Sequence, residues 1–346
     1  MTVMTDGDTV LVPLEIGMAL PPGGSTPYTA SGSAMGTGWS ARMMLPPGAD
    51  GPALAAALQA ELDEIVAQMS HWDASSLLSR YNAAPAGSWH ALPPQFFEVA
   101  AYALQVQALS GGAYDPAAGR LVELWGFGAR RRHDQAGFTV PDEAAIAAVL
   151  AERPRRQPRL DAAGRRLLQP GGATLDFSSV AKGYAVDRMA ACLEARSVRH
   201  FVVEAGGELR GAGVKANGEP WWVEIEGVPD AGTPTARVVL ALHGLAVATS
   251  GDYRSYFQYD GRHGPRRAAH TLDPRTGYPV ANGVASVTVL APTCMAADAL
   301  STALTVLGPD AGLAFAETHR LPARFLARGP AGLLETTSSH WDALLQ

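Results

Sequence analysis

Thr174-Leu175-Asp176-Phe177-Ser178-Ser179-Val180-Ala181-Lys182-Gly183-Tyr184-Ala185-Val186-Asp187 runs through a helical pattern to Ala195 and into His200-Phe201-Val202-Val203-Glu204-Ala205-Gly206-Gly207-Glu208. Thr174 to Phe177 is strand-like, Lys182 to Ala195 has the spacing of a helix, and His200 to Glu204 is a β-branched strand closed by two glycines. Downstream, strands are predicted at Trp221–Glu226, Val238–Leu242, Ala285–Ala291 and Ala323–Ala327, with helices over Ala296–Val306 and Ala311–His319. Upstream, Trp39–Met44 reads as a strand. Ala53–Met69 places Leu54, Leu58, Leu62, Ile65 and Met69 on one helical face, and Gln95–Leu109 is a second such helix. Strands and helices that mix without strict alternation predict an α+β fold with mixed or antiparallel sheets and packed helices.

The ends and one insertion stand apart from this pattern. Residues 1–33 are rich in Pro, Gly and Thr and predict an irregular segment with at most one short strand, leaving 34–346 as the main domain. Within it, about 130–170 is an Arg/Pro-rich insertion holding a helix near Asp142–Ala151. The arginine runs at Arg130-Arg131-Arg132, Arg155-Arg156 and Arg266-Arg267 sit among Gly, Pro or Asp and read as solvated loops. A net charge of −6 argues against a nucleic-acid binder, which needs a basic face. No run of about eighteen apolar residues predicts a membrane-spanning helix. Asp6 and Asp8 and the lack of a basic cluster or lipobox cysteine do not resemble a signal peptide, so a cytoplasmic location is expected, with a periplasmic one left open by the choice of start codon. Cys192 and Cys294 have no metal or CxxC spacing and read as small core residues.

Four segments hold more polar and ionisable residues than a core needs. Asp176 to Asp187 runs from a strand end into a helix start, where free N–H groups and Lys182 attract anions, though alone it is explained more simply as a capped helix with Lys182 in solvent. Asp298 and Thr302 are i, i+4 on one helix face, a carboxylate and a hydroxyl suited to a hard cation such as Mg²⁺, or alone an exposed polar stripe. His270 precedes the tight-turn sequence Asp273-Pro274-Arg275-Thr276-Gly277 and is a candidate base, although a lone histidine is more often structural. Gly111 to Pro116 with Leu124-Trp125-Gly126-Phe127-Gly128 makes either a slot for a planar ring or a packed loop corner, and Ala248 to Tyr253 either a polar loop or a ligand cradle. No GxGxxG, P-loop or GxSxG motif is present.

In their order along most of the chain, these segments together with Met35-Gly36-Thr37, Met69-Ser70-His71-Trp72, Ser76, Asn82 and Gly206-Gly207-Glu208 resemble the FAD:protein FMN transferases, the ApbE family. The resemblance implies an ApbE-like, T-fold-like architecture and a Mg²⁺ enzyme, with Mn²⁺ as the alternative. Such an enzyme moves FMN from FAD to a threonine of an acceptor flavoprotein and releases AMP. It implies metal ligation by Asp298, Thr302 and the carbonyl of Ser179. Ser301, counted with that set, stands where some members carry a further aspartate. Met35, Trp72, Ala113, Tyr114, Asp115, Asp176, Lys182 and Leu272 are implied against FAD. Lys182 then shares the charge on the pyrophosphate, and His270, or less favourably Asp273, accepts the threonine proton. The competing readings are hydrolysis of FAD to FMN and AMP, and FAD binding without turnover.

Overall fold

Eight strands lie side by side in the order in which the chain makes them. The computed structural model describes residues 9–17, 19–229, 237–261, 264–330 and 332–345; Asp6 and Asp8 lie outside them. The strands are β1 (Thr26–Ala34), β2 (Thr37–Leu45), β3 (Phe201–Ala205), β4 (Glu208–Ala212), β5 (Leu245–Gly251), β6 (Val284–Ala291), β7 (Ala323–Gly329) and β8 (Gly332–Thr337). Every neighbouring pair is antiparallel.

Four longer helices are α1 (Gly51–Met69), α2 (Pro94–Leu109), α3 (Ala181–Ala195) and α4 (Cys294–Thr318). Alternation along the strands divides their side chains between two faces. Ala41, Met43, Val203, Val287 and Val289 pack with Leu58 and Leu62 of α1, Met189 and Leu193 of α3 and Leu304 of α4. Met44, Val202, Val247 and Leu290 turn the other way, onto a three-stranded sheet of Thr9–Leu11, Trp221–Ile225 and Val238–Leu242. Covered on both faces, β6 is buried along its whole length, which is why it reads as an unbroken apolar run.

The α+β expectation therefore holds, and the main helices and strands fall where the periodicity placed them. The break expected between the last two helices is a kink inside α4, where Gly308 takes φ 83° ahead of Pro309. Asn282 fills the break, its amide donating to the Thr305 carbonyl at 2.9 Å. By length and composition alone α4 is apolar enough to cross a membrane, but it is interrupted by polar residues and packs across β5 and β6 as a core helix.

Several local readings are corrected. Thr174–Phe177 is no strand: only Thr174 pairs, with Ala118. The side-chain amide of Asn82 takes the place of a neighbouring strand, donating to the Leu175 carbonyl at 2.9 Å and accepting from its N–H at 2.8 Å. Ala248 to Gly251 lies in β5 rather than a loop. Residues 9–33 contribute Thr9–Leu11 and most of β1, whose edge position lets polar residues hide its alternation. Arg266 and Arg267 belong to a hairpin of Tyr256–Gly261 and Gly264–Ala269. The insertion adds a second hairpin, Arg159–Asp161 with Arg166–Gln169, beside its expected helix Glu143–Glu152.

The contact of α3 with α4 fixes the position of the site. A Cβ at Gly183 would lie 2.3 Å from the Cys294 carbonyl oxygen and 2.8 Å from Asp298 Cβ. The Asp187 carboxylate accepts the backbone N–H groups of Cys294 and Met295, both at 2.9 Å, satisfying donors of the first α4 turn. Gly183→Ala is accordingly expected to force the two helices apart. It should destabilise the protein by about 3 kcal/mol or more, read as a lowered midpoint in chemical denaturation. Unchanged stability would show that the helices separate freely.

Candidate active site

Segments far apart in sequence meet at a cleft of about 280 Å³. The N-terminus of α3 supplies Ser179 and Lys182, α4 supplies Asp298 and Thr302, the starts and ends of β4 and β5 supply Glu208 and Thr249 to Gly251, and two loops bring Ala113-Tyr114-Asp115 and His270-Thr271-Leu272. Asp176 and Ser178 complete the floor, and Val122 and Phe127 form an apolar side.

A second, larger groove of about 520 Å³ adjoins it, sharing Ser178 and Lys182. Met35 and Trp72 lie here, with Met69 and Phe177. Met35 and Gly36 form the two-residue turn between β1 and β2, both with positive φ, 53° and 74°. A methionine in that region carries backbone strain that asparagine or glycine would avoid, which places the long thioether at the groove mouth by constraint. Trp72 is 57% exposed, with the Arg132 guanidinium 5.9 Å and the His71 ring 5.2 Å from its ring centroid, an exposed aromatic side chain at the groove.

Charge in the first cleft is concentrated and poorly solvated. Asp298 is buried, and its Oδ2 accepts the Gly183 N–H at 2.9 Å. Burial pushes its pKa up, against the pull of Lys182 and that N–H. Lys182 donates to Glu208 Oε1. Burial alone would lower the Lys182 pKa, but the negative charges of Asp298 and Glu208 outweigh it and hold the ammonium protonated. Burial raises the Glu208 pKa, and its second oxygen, Oε2, has no hydrogen-bond partner among the described residues. The buried Tyr114 hydroxyl lies beside Ser179 at the same cleft.

Two buried carboxylates facing one ammonium, with the unpaired Glu208 Oε2 beside them, fit an additional cation. Among the described residues no three His, Cys, Asp or Glu side chains converge on a metal position. Ser179, Asp298 and Thr302 line the same cleft, and the donor types they could offer, a backbone carbonyl, a carboxylate and a hydroxyl, are all oxygen and all hard. That set suits Mg²⁺ or Mn²⁺ with retained waters better than zinc.

His270 has a defined tautomer. Its Nδ1 lies 3.1 Å from the Ser255 carbonyl, which only accepts, so Nδ1 carries the proton and Nε2 keeps its lone pair. Burial lowers its pKa, aided by the nearby cations Lys182 and Arg254, so the neutral base persists below the usual range.

Three expected residues sit differently. Asp273 does not line the cleft: its carboxylate closes its own turn, accepting from the Arg275 N–H and guanidinium at 2.9 Å. Ser301 is buried off the cleft, its hydroxyl donating to the Asp298 carbonyl at 2.9 Å. Asp115 lines the cleft, but its carboxylate turns inward to Gln107 and Arg153. Conversely, Glu208 and Arg254 reach the cleft without a role having been read for them. The only sequence signal for Glu208 was a carboxylate directly after a glycine pair.

Residues 35–325 match the model of the ApbE family. The FAD:protein FMN transferase of Vibrio cholerae is 35% identical over 325 residues, covering 91% of this chain and 92% of that protein. The transferase of the same name from Haemophilus influenzae is 34% identical over 297 residues, 84% of this chain and 82% of that one. Among solved structures, the flavin transferase ApbE from Vibrio cholerae aligns with a TM-score of 0.83 and 34% identity, over 93% of this chain and all of that one (100%). The apo form of Pseudomonas stutzeri flavinyl transferase ApbE aligns with a TM-score of 0.82 and 36% identity, over 92% and 97%.

Proposed function

The chain belongs to the ApbE family, and from that premise we propose that it transfers FMN from FAD to a threonine hydroxyl of an acceptor flavoprotein, releasing AMP. The observation that carries this reading is the convergence of Lys182, Asp298, Thr302 and His270 on one cleft. These are the groups needed to bind a pyrophosphate, hold a hard cation and take a proton.

In this reading the FAD pyrophosphate lies against Lys182, whose ammonium offsets charge that grows on the bridging oxygen. Tyr114, Leu272 and the Ala113 loop hold the dinucleotide, and Met35 and Trp72 border the groove that takes a planar ring. The acceptor oxygen bonds to the FMN phosphorus, the phosphorus–bridge bond breaks, and AMP leaves with the bridging oxygen. The hydroxyl proton passes to His270 Nε2. Asp298, Thr302 and the Ser179 carbonyl would hold a divalent cation, magnesium in the first instance. Such an ion supplies Lewis-acid stabilisation of the phosphates when bound.

The test is incubation of the protein with FAD, Mg²⁺ and an acceptor carrying a threonine in a short Ser/Thr/Ala/Gly-rich motif. An FMN mass added to the acceptor, with AMP released and both abolished by EDTA, is the expected result. Free FMN and AMP without labelling would make the protein a pyrophosphatase toward that acceptor, and FAD left intact would overturn the transferase reading.

A further inference from the structure

The arginine-rich stretch has no part in the chemistry above, yet one of its arginines reaches both walls of the cleft. Arg153 caps the C-terminus of the insertion helix Glu143–Glu152. Its Nε donates to Asp115 Oδ2 at 2.7 Å, and its Nη2 forms an ion pair with the same oxygen at 2.5 Å. Its Nη1 donates to the Pro274 carbonyl. Asp115 belongs to the Ala113-Tyr114-Asp115 wall, and Pro274 to the turn that follows His270 and Leu272.

We propose that Arg153 is a positioning residue that sets the width of the FAD cleft by tying these two walls together, an inference that rests on the flavin reading of that cleft. The Asp115 side chain has no solvent exposure (0%), and its other oxygen accepts from Gln107 Nε2 at 2.7 Å and the Ala117 N–H at 2.8 Å, so that wall is anchored from behind. The opposite turn is held at its far end too. Trp125 Nε1 donates to the Gly277 carbonyl at 2.8 Å, and a Cβ on Gly277 would lie 2.7 Å from Ile146 of the insertion helix. Residues 125–153 therefore grip both ends of the turn, and the Arg153 guanidinium reaches across to the carboxylate of the other wall. One guanidinium plane can direct Nε and Nη2 at a single carboxylate oxygen and Nη1 outward at a carbonyl, whereas an ammonium is a point charge and cannot hold that geometry.

Arg153 touches the walls and not the transferring groups Lys182, Asp298 and His270, so its loss should act on FAD binding rather than on the chemical step. The experiment measures the Kd of FAD by flavin fluorescence, and KM for FAD and kcat of transfer, in Arg153→Ala, Arg153→Lys and Arg156→Ala. Arg156 pairs with Glu152 at 2.7 Å in the same segment but does not reach the cleft. Expected for Arg153→Ala are Kd and KM raised about tenfold with kcat lowered less than about threefold. Arg153→Lys should lie between it and wild type, and Arg156→Ala should match wild type. Should Arg153→Ala fail to fold, Arg153→Lys, which keeps a cation beside the buried Asp115, decides alone.

The clamp is overturned if the folded Arg153 variants bind FAD as wild type does, if kcat falls while Kd holds, or if Arg156→Ala weakens FAD equally. A wild-type protein that binds no FAD would instead overturn the flavin reading, and the clamp with it.

Discussion

Asp298→Asn is expected to keep its fold and lose about three orders of magnitude in transfer rate, which is about 4 kcal/mol of barrier. Asparagine is the informative substitution because Asp298 has a structural duty as well as a chemical one. Its Oδ2 accepts the Gly183 N–H at 2.9 Å in the tight contact of α3 with α4. Alanine would leave that donor buried and unpaired, at a cost of about 1–3 kcal/mol, confusing stability with catalysis. An asparagine oxygen can accept the same bond without bringing a charge. Burial raises the Asp298 pKa, so at neutral pH the ionised group opposes folding of the metal-free chain, and that opposition fades as the pH falls and the group protonates. The metal-free Asn variant should therefore melt at or above the wild-type temperature. Mg²⁺ should raise the melting temperature of the wild type, since a ligand that binds only the folded state stabilises it, and should leave the variant unmoved. Transfer within tenfold of wild type, or an equal Mg²⁺ shift in both proteins, would remove Asp298 from the metal site.

The reach of the sequence in this protein follows the kind of interaction involved. α1 could be read because Leu54, Leu58, Leu62 and Ile65 answer to a single requirement, burial on one face. β3 and β6 could be read because two-sided burial selects a continuous apolar run. β1 could not, because an edge strand covered on one side tolerates the sequence TPYTASGSA. Thr174 to Phe177 was misread for a different reason. Its backbone is paired by the side chain of Asn82, ninety-three positions away, and no local pattern announces a partner of that kind. The candidate site shows the same division. Asp298 and Thr302 follow from helical spacing alone, while the meeting of their face with Lys182 and His270 rests on tertiary packing and entered the sequence reading only through family resemblance. Asp273 is a candidate base by type, but its carboxylate closes its own turn on Arg275 and does not line the cleft. The role of Arg153 was invisible because an arginine among arginines carries no positional signal until the fold places it.

His270→Gln should lower kcat by about two to four orders of magnitude while leaving the Kd of FAD within a few-fold. The hydrogen bond from Nδ1 to the Ser255 carbonyl leaves Nε2 with the lone pair of a ring that lines the cleft. Glutamine keeps a polar side chain of similar reach but has no basic nitrogen, so binding survives and proton transfer does not. The pH dependence supplies the sign. Burial, reinforced by Lys182 and Arg254, lowers the His270 pKa from its ordinary 6.5. The neutral, base-competent ring therefore persists as the pH falls through 6.5, and the acid limb of kcat/KM in the wild type should lie below that value. Stability moves in the same window. Below pH 6.5 the unfolded chain takes up a proton that the desolvated ring of the folded state refuses, so wild-type stability declines from there down to the folded-state pKa, and the Gln variant should be spared that part of the decline. Measured together, kcat/KM and the unfolding midpoint between pH 5 and 8 would show both effects. An acid limb above 6.5, or a Gln variant retaining more than about a tenth of the wild-type kcat, would exclude His270 as the base and leave a solvent water to accept the proton.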